Sequence, residues 1–473
     1  MIRMFASLLT LFICLLSLPS VSGQHSGYRI EVQVKNFEGD TIRLGYYFGK
    51  SQYLKDTAVI ENGKFLFQGD EALDPGLYLL VFPPDNSFAH ILIADGQQDF
   101  TVSLDMNEIV NSSRFKGSEE NDIYYNYLRQ LEKRRPEAER LRGLVVSDSL
   151  HAEQHRADLA IIDKEVKDIQ QSIVTKHPDS FTAMLIKASS EIDIPEFPDA
   201  DETTRRQLQY EYYRAHYFDA FDLNDPRTIR SGLIQQKVDY FLQKLTYQVP
   251  DSQSVAMDYL LGQMDENPEA FQYYLVEFLN ESARSKRMGM DAVYVHLVDH
   301  YYSTGKATWM DEEQLSKLVK QAETLRPTLI GKTAPNLTFY KASGETVTIS
   351  DIKADYTVLF FWAPDCGHCK KAIPSIIDFY NTYKNRGVEL LAICTKTGAD
   401  LSTCWETIEE RGMDIWVNVA DQYLRSRYKT IYDIKTTPQI FILDKDKKIL
   451  VKKIAGEDLA PVMEELMNLG KEK

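Results

Sequence analysis

The chain has 473 residues, 44% of them hydrophobic and 26% charged. That balance belongs to a folded globular protein of roughly three domains and excludes wholesale disorder. With 54 Lys and Arg against 70 Asp and Glu, the net charge of −16 argues against binding nucleic acid or anionic membrane through bulk charge, and five cysteines are too few for a disulfide-built scaffold.

The chain opens on an address. Arg3 precedes an apolar run from Leu8 to Leu18, Pro19 and Ser20 break it, and Val21, Ser22 and Gly23 are small. This is the pattern of a secretory signal peptide, with cleavage expected after Gly23. The apolar core is short for a membrane span of about 20 residues. Cys14 lies inside that core behind Phe12 and Ile13, which is not the small-residue context of a lipoprotein signal. No later segment approaches about 18 uncharged apolar residues. The expectation is an exported mature chain with no transmembrane span and four cysteines, in the periplasm or cell envelope.

Residues 24–115 read as strands. Ile30, Val32 and Val34 alternate with polar residues, as do Ile42, Leu44, Tyr46 and Phe48. A period of two means one packed face and one wet face. Asn62-Gly63 predicts a two-residue hairpin turn, because both residues tolerate positive φ. Later β-like runs lie at Leu77–Phe82, His90–Ala94 and Asp99–Leu104, with Pro83-Pro84 and Asp95-Gly96 as breakers. An antiparallel, sandwich-like domain is the simplest reading.

Residues 116–330 change to a helical pattern. Leu159, Ile162, Val166, Ile169 and Ile173 recur at spacings of three and four. Further helices are predicted at 202–221, 227–248, 254–263, 268–284, 289–303 and 311–325, punctuated by prolines. Tyr210, Tyr212, Tyr213 and Tyr217 read as helix-packing aromatics rather than a ligand cage. The expected domain is all-α.

Residues 331–473 alternate strand and helix, which implies a parallel or mixed α/β sheet. Val358–Trp362 is a continuous apolar run, as in a strand buried on both faces, and Val388–Cys394 reads as another buried strand. This region carries 20 basic and 20 acidic residues, so the acidic excess belongs to the residues before it.

Cys366 and Cys369 follow the first of those strands and open a predicted helix. A helix N-terminus offers free N–H groups and the positive end of the dipole, both of which favour a thiolate. Cys366, at the exposed start, is the expected nucleophile. Cys369, one turn on, can resolve a mixed disulfide. Gly367 is expected to permit a tight turn, and His368 to add a cation near the sulfur.

The segment Phe361-Trp362-Ala363-Pro364-Asp365-Cys366-Gly367-His368-Cys369 resembles the active site of thioredoxin-fold oxidoreductases. Pro374 falls where that family kinks its active-site helix. Thr437-Pro438 matches the family's cis-proline, whose neighbouring backbone pairs with extended substrate. Gly456 follows the last strand in the expected place. Gly331-Lys332-Thr333-Ala334-Pro335 resembles the opening of the TlpA-like, peroxiredoxin-related branch. The resemblance covers 331–473. It implies a thioredoxin fold and a thiol–disulfide oxidoreductase with protein thiols and disulfides as partners. It implies no cofactor beyond the redox-active pair Cys366–Cys369, and a membrane thiol transporter as electron donor. Trp362, Gly367, His368 and Pro374 would support the site, and Thr437 and Pro438 would bind substrate.

Two positions depart from the pattern. Thioredoxin has a buried Asp where this chain has Phe360. Asp365 precedes the first cysteine where Trp is common, and its charge is expected to oppose a low Cys366 pKa.

Zinc needs four ligands in a closed site, and Cys394 and Cys404 do not form a second knuckle. Cys394 reads as a small core residue and Cys404 as inert or secondary; whether they pair is left open. A thiol peroxidase would want a Thr that residues 360–366 lack. His296-Leu297-Val298-Asp299-His300 has metallopeptidase-like spacing but no third ligand. A non-enzymatic envelope adaptor is the remaining alternative, against which the intact dithiol argues.

Overall fold

The structure is a computed structural model that describes residues 27–471; the expected signal peptide, 1–23, lies outside the described residues. The chain divides into two compact units. One takes in the described residues up to Glu191 together with Pro226–Leu233; the other takes in Ile192–Asp225 and the chain from Ile234 onward.

In the first unit the alternating pattern builds eight strands: β1 (Tyr28–Lys35), β2 (Thr41–Phe48), β3 (Ser51–Val59), β4 (Phe65–Gly69), β5 (Gly76–Phe82), β6 (Ser87–Ile93), β7 (Asp99–Asp105) and β8 (Arg114–Lys116). They form two four-stranded sheets, ordered β4-β1-β7-β8 and β3-β2-β5-β6. Ile30, Val32, Phe65, Phe67 and Val102 of one sheet share a fully enclosed core with Ile42, Leu44, Leu80 and Ile91 of the other. All pairs are antiparallel except β1–β7. A parallel pair needs a long crossover, and five intervening strands supply it here. Asn62 and Gly63 adopt φ of 51° and 77° and close a turn between Glu61 and Lys64. The flanking strands then enter different sheets, so the turn passes the chain between layers.

Helices α1 (Ile109–Ser112), α2 (Glu119–Ser147), α3 (Ala152–Lys176) and α4 (Phe181–Ser189) complete this unit. β6 ends its sheet, and α2 covers that edge. Asn121 accepts from Leu92 N–H at 2.8 Å and donates to Leu92 C=O at 2.7 Å, while Tyr125 donates to His90 C=O at 2.8 Å. An edge covered in this way offers fewer free backbone groups to another chain. The Glu120 carboxylate caps α4 through Phe181 and Thr182 N–H.

The second unit contains α5 (Glu202–Ala215), α6 (Ile234–Lys244), α7 (Pro250–Gly262), α8 (Pro268–Arg284), α9 (Asp291–Leu297) and α10 (Glu312–Leu325). The tyrosines of and beyond α5 are half-buried, and Tyr217 stacks on Tyr240 and Phe241 at 5.7 and 6.0 Å. Then follow β9 (Thr338–Tyr340), β10 (Thr346–Thr348), β11 (Tyr356–Trp362), α11 (Gly367–Tyr383), β12 (Val388–Cys394), α12 (Ser402–Glu410), β13 (Val417–Ala420), α13 (Tyr428–Ile431), β14 (Gln439–Leu443), β15 (Ile449–Lys452) and α14 (Leu459–Lys471).

The seven-stranded sheet runs β10-β9-β13-β12-β11-β14-β15. β11, β12 and β13 are parallel, and β14 returns antiparallel against β11. This is the mixed α/β sheet expected from strand–helix alternation, in the thioredoxin-like arrangement that the resemblance implied. β11 is buried on both faces, which is why it carries no polar alternation: Val358, Phe360 and Trp362 face the core under α11, and Leu359 and Phe361 face the core that holds Tyr428 and Tyr432. Gly456 lies against α11, where a Cβ would come within 3.0 Å of the Ala372 Cβ. The close approach of the last crossover to the helix therefore requires the missing side chain. Among the described residues, no helix is long and apolar enough to cross a membrane.

Candidate active site

β11 delivers the chain to the sheet end at Trp362, and Cys366 N–H donates to Ala363 C=O at 3.2 Å to close the following turn. Cys366 is the N-cap of α11. Its sulfur accepts from Cys369 N–H at 3.1 Å, the role a Ser or Asp oxygen fills at most helix starts. Both cysteines are free thiols; Cys366 is half-buried and Cys369 fully buried one turn further on. Pairing of β14 against β11 puts Gln439 opposite Phe361. The residues just before β14 therefore lie beside the end of β11. Among them the Thr437–Pro438 bond is cis, and the Thr437 carbonyl accepts the Cys366 thiol at 3.2 Å.

The two thiols are driven apart electrostatically. Burial pushes Cys366 up, but hydrogen bonds from the Cys369 thiol, from the Thr437 side chain and from the backbone N–H groups of Cys369 and His368 outweigh it, and the net shift is downward. Burial pushes Cys369 up to about 12, and its hydrogen bond to Cys366 adds to the rise. Phe360 lies in the core shared with Cys369, where thioredoxin carries its Asp. One sulfur gives up its proton more readily than an ordinary cysteine, and the other holds its proton more tightly.

Three neighbours behave differently from expectation. Asp365 does not act as a lone charge beside Cys366: its carboxylate accepts from Lys396 Nζ at 2.7 Å, and that hydrogen bond lowers its own pKa. The pair spans 31 residues, so composition around the motif could not reveal it. Lys396→Met should therefore raise the Cys366 pKa, and adding Asp365→Asn should lower it again. The pH dependence of thiol alkylation in the two variants measures both. His368 is exposed, and the contribution it makes to the sulfur comes from its backbone N–H rather than its ring. Gly367 is the first helical residue, without a positive φ, and a Cβ there would meet nothing within 4 Å. The turn does not demand glycine.

Trp362 is fully buried and stacks on Phe360 at 6.4 Å, beneath the site rather than in it. Pro374 sits inside α11, where the lack of an N–H removes one helical hydrogen bond. The structure thus brings Cys366, Cys369, Thr437 and Pro438 together, with Trp362 and Pro374 as scaffold.

Cys394 and Cys404 form a disulfide within the same core, closing a loop of sequence separation 10. The sequence left this pairing open because an apolar strand and a helix start do not reveal their distance. Replacing both cysteines with alanine should cost about 2–3 kcal/mol, the loop-closure value for so short a ring. Urea unfolding followed by tryptophan fluorescence checks this. His296 meets Asp258 at 2.9 Å and stacks on His300 at 4.2 Å, and His300 hydrogen-bonds the His296 carbonyl. Among the described residues, no group of three or more His, Cys, Asp or Glu is placed to hold a metal ion.

Comparison with known proteins gives three family matches. Residues 330–452 match the AhpC/TSA family, and 28–124 and 163–327 match two domains of unknown function, DUF4369 and DUF5106. Thiol-disulfide oxidoreductase ResA of Bacillus thuringiensis subsp. konkukian is 30% identical over 138 residues, which is 29% of this chain and 76% of that protein. ResA of Bacillus subtilis is 27% identical over 141 residues, or 29% of this chain and 74% of that protein. Among solved structures, the thioredoxin domain of a thiol-disulfide oxidoreductase from Bacteroides vulgatus is 28% identical with a TM-score of 0.27, covering 29% of this chain and 96% of that one. A thioredoxin-like protein from Bacteroides caccae is 20% identical with a TM-score of 0.44, covering 58% of this chain and 98% of that one.

Proposed function

The chain belongs to the TlpA-like thiol-disulfide oxidoreductases, and from that premise we propose that it is an exported enzyme exchanging disulfides with proteins of the cell envelope through Cys366 and Cys369. The observation that carries the reading is the Cys366 sulfur. It caps α11, lies against the carbonyl beside the cis-proline, and has a lowered pKa beside a partner thiol raised to about 12.

The Cys366 thiolate attacks one sulfur of a protein disulfide. A bond forms between Cys366 and that sulfur, the substrate S–S bond breaks, and the departing thiolate takes a proton. Cys366 now carries no charge, so one cause of the high Cys369 pKa disappears. Cys369 loses its proton and attacks Cys366. The internal disulfide forms, the second substrate thiol leaves, and two electrons have passed from the enzyme to the substrate. A thiol reductant, for which a membrane thiol transporter is the family's implied source, returns the pair to the dithiol. Because each step is reversible, the redox state of the partners sets the direction.

The test is a trap. Cys369→Ser in the native host should hold partners as mixed disulfides on Cys366, visible as reductant-sensitive bands, whereas Cys366→Ser should hold none. Equal trapping by both variants would contradict the assigned roles.

A further inference from the structure

Next to the Thr437–Pro438 segment lies a cleft of about 650 Å³, within the range of binding clefts of about 300–1,000 Å³. One wall is the segment between α8 and α9 with part of α10; the other is the chain entering β14 and leaving β15.

The cleft is basic in a chain whose net charge is −16. Five cations line it against two carboxylates. Lys435 pairs with Asp433 at 3.1 Å, and Lys452 pairs with Asp291. Lys286, Arg287 and Lys453 are exposed and make no ion pair with the described residues. Three positive charges therefore face the cleft uncompensated.

The second observation is Gln439. It is 9% exposed, it lines the cleft, and its Oε1 accepts no hydrogen bond from the described residues. A buried amide oxygen without a donor costs stability, so a native fold retains one chiefly where something else donates to it. Gln439 follows Thr437 by two residues, which places it within about 7 Å of chain from the carbonyl that accepts the Cys366 thiol.

We propose that this cleft receives an extended, acidic stretch of the protein substrate flanking its disulfide. This rests on the reading of the dithiol given above. A main-chain N–H of the extended stretch donates to Gln439 Oε1, and its carboxylates face Lys286, Arg287 and Lys453. The helical region thereby selects substrates for a dithiol that it does not touch. The negative charge elsewhere on the chain keeps acidic proteins off other surfaces, so the attraction acts at short range.

The experiment uses the full chain and two synthetic peptides with the same central disulfide, flanked in one by glutamates and in the other by lysines. The readout is the ratio of their kcat/KM values, so a general loss of activity cancels. Three exposed charges predict a preference of about tenfold for the glutamate peptide in low salt. That preference should fade as ionic strength rises, and K286E/R287E/K453E should reverse it. A wild-type ratio near one, a ratio indifferent to salt, or a triple variant that keeps the preference overturns the cleft assignment. The uncharged hydroxyethyl disulfide separates the two failures. If Cys366→Ser still reduces it at the wild-type rate, the dithiol reading falls and takes the inference with it. If Cys366→Ser is inactive and the ratio nonetheless ignores charge, the cleft assignment alone falls.

Discussion

Replacing Cys366 with serine should reduce turnover on a protein disulfide by about 10³-fold or more, the scale on which removal of a covalent nucleophile acts. A serine oxygen can keep the helix-capping contact to Cys369 N–H that the sulfur makes at 3.1 Å. It cannot become an anion near neutral pH, however, so the cap survives while the attack does not. Cys369→Ser should lose steady-state turnover to a similar degree, yet retain the first attack. The two variants separate in single-turnover insulin reduction. The Cys369 variant should release one substrate thiol and stop, and the Cys366 variant should release none. A Cys366 variant with wild-type insulin reduction would remove the basis for the mechanism.

The second large effect lies away from the dithiol. Lys452 is 2% exposed on the last strand of the sheet; its ammonium pairs with Asp291 at the start of α9 and donates to Thr328 C=O at 2.7 Å. Burial holds the Lys452 pKa below its ordinary value despite the opposing pull of Asp291. Asp291→Ala should destabilise this unit by about 3 kcal/mol, because it leaves a buried ammonium without its counter-charge. Lys452→Met alone should cost less, and Lys452→Met added to Asp291→Ala should restore most of the loss, since an apolar side chain of similar length needs no partner. All four tryptophans of the chain lie in this unit. Their fluorescence during urea unfolding therefore reports the relevant transition. Equal losses for Asp291→Ala and for the double variant would show that packing, rather than charge, holds the contact.

What could be read from the residues alone followed from local rules. The run Val358–Trp362 announced a strand buried on both faces, and Cys366 and Cys369 after it announced a helix start carrying a dithiol. Thr437-Pro438 was legible only through the resemblance, because no local pattern ties a proline to a cysteine 72 positions earlier. Features that depend on distant partners were not legible. β1 and β7 pair in parallel because sheet order is a tertiary property. Asn62-Gly63 marked a turn correctly without revealing that the strands on either side enter different sheets. Lys396 neutralises Asp365, and Cys404 meets Cys394, only through tertiary contacts that local pattern does not encode. The orphaned oxygen of Gln439 has no signature at all in a strand that otherwise reads as core. The helical pattern of 116–330 identified helices, while their division between two units emerged from packing.

The central claim is that one cysteine of the pair is reactive and the other is held in reserve. It is tested most directly by alkylating the reduced full-length chain with iodoacetamide across pH and assigning each label by peptide mapping. The thiolate reacts and the thiol does not. A lowered pKa therefore means that Cys366 labelling reaches its plateau at lower pH than a free cysteine does. Cys369, pushed up to about 12, should stay unlabelled through the same range. Labelling of Cys369 first, or of both at the rate and pH of a free thiol, would contradict the account.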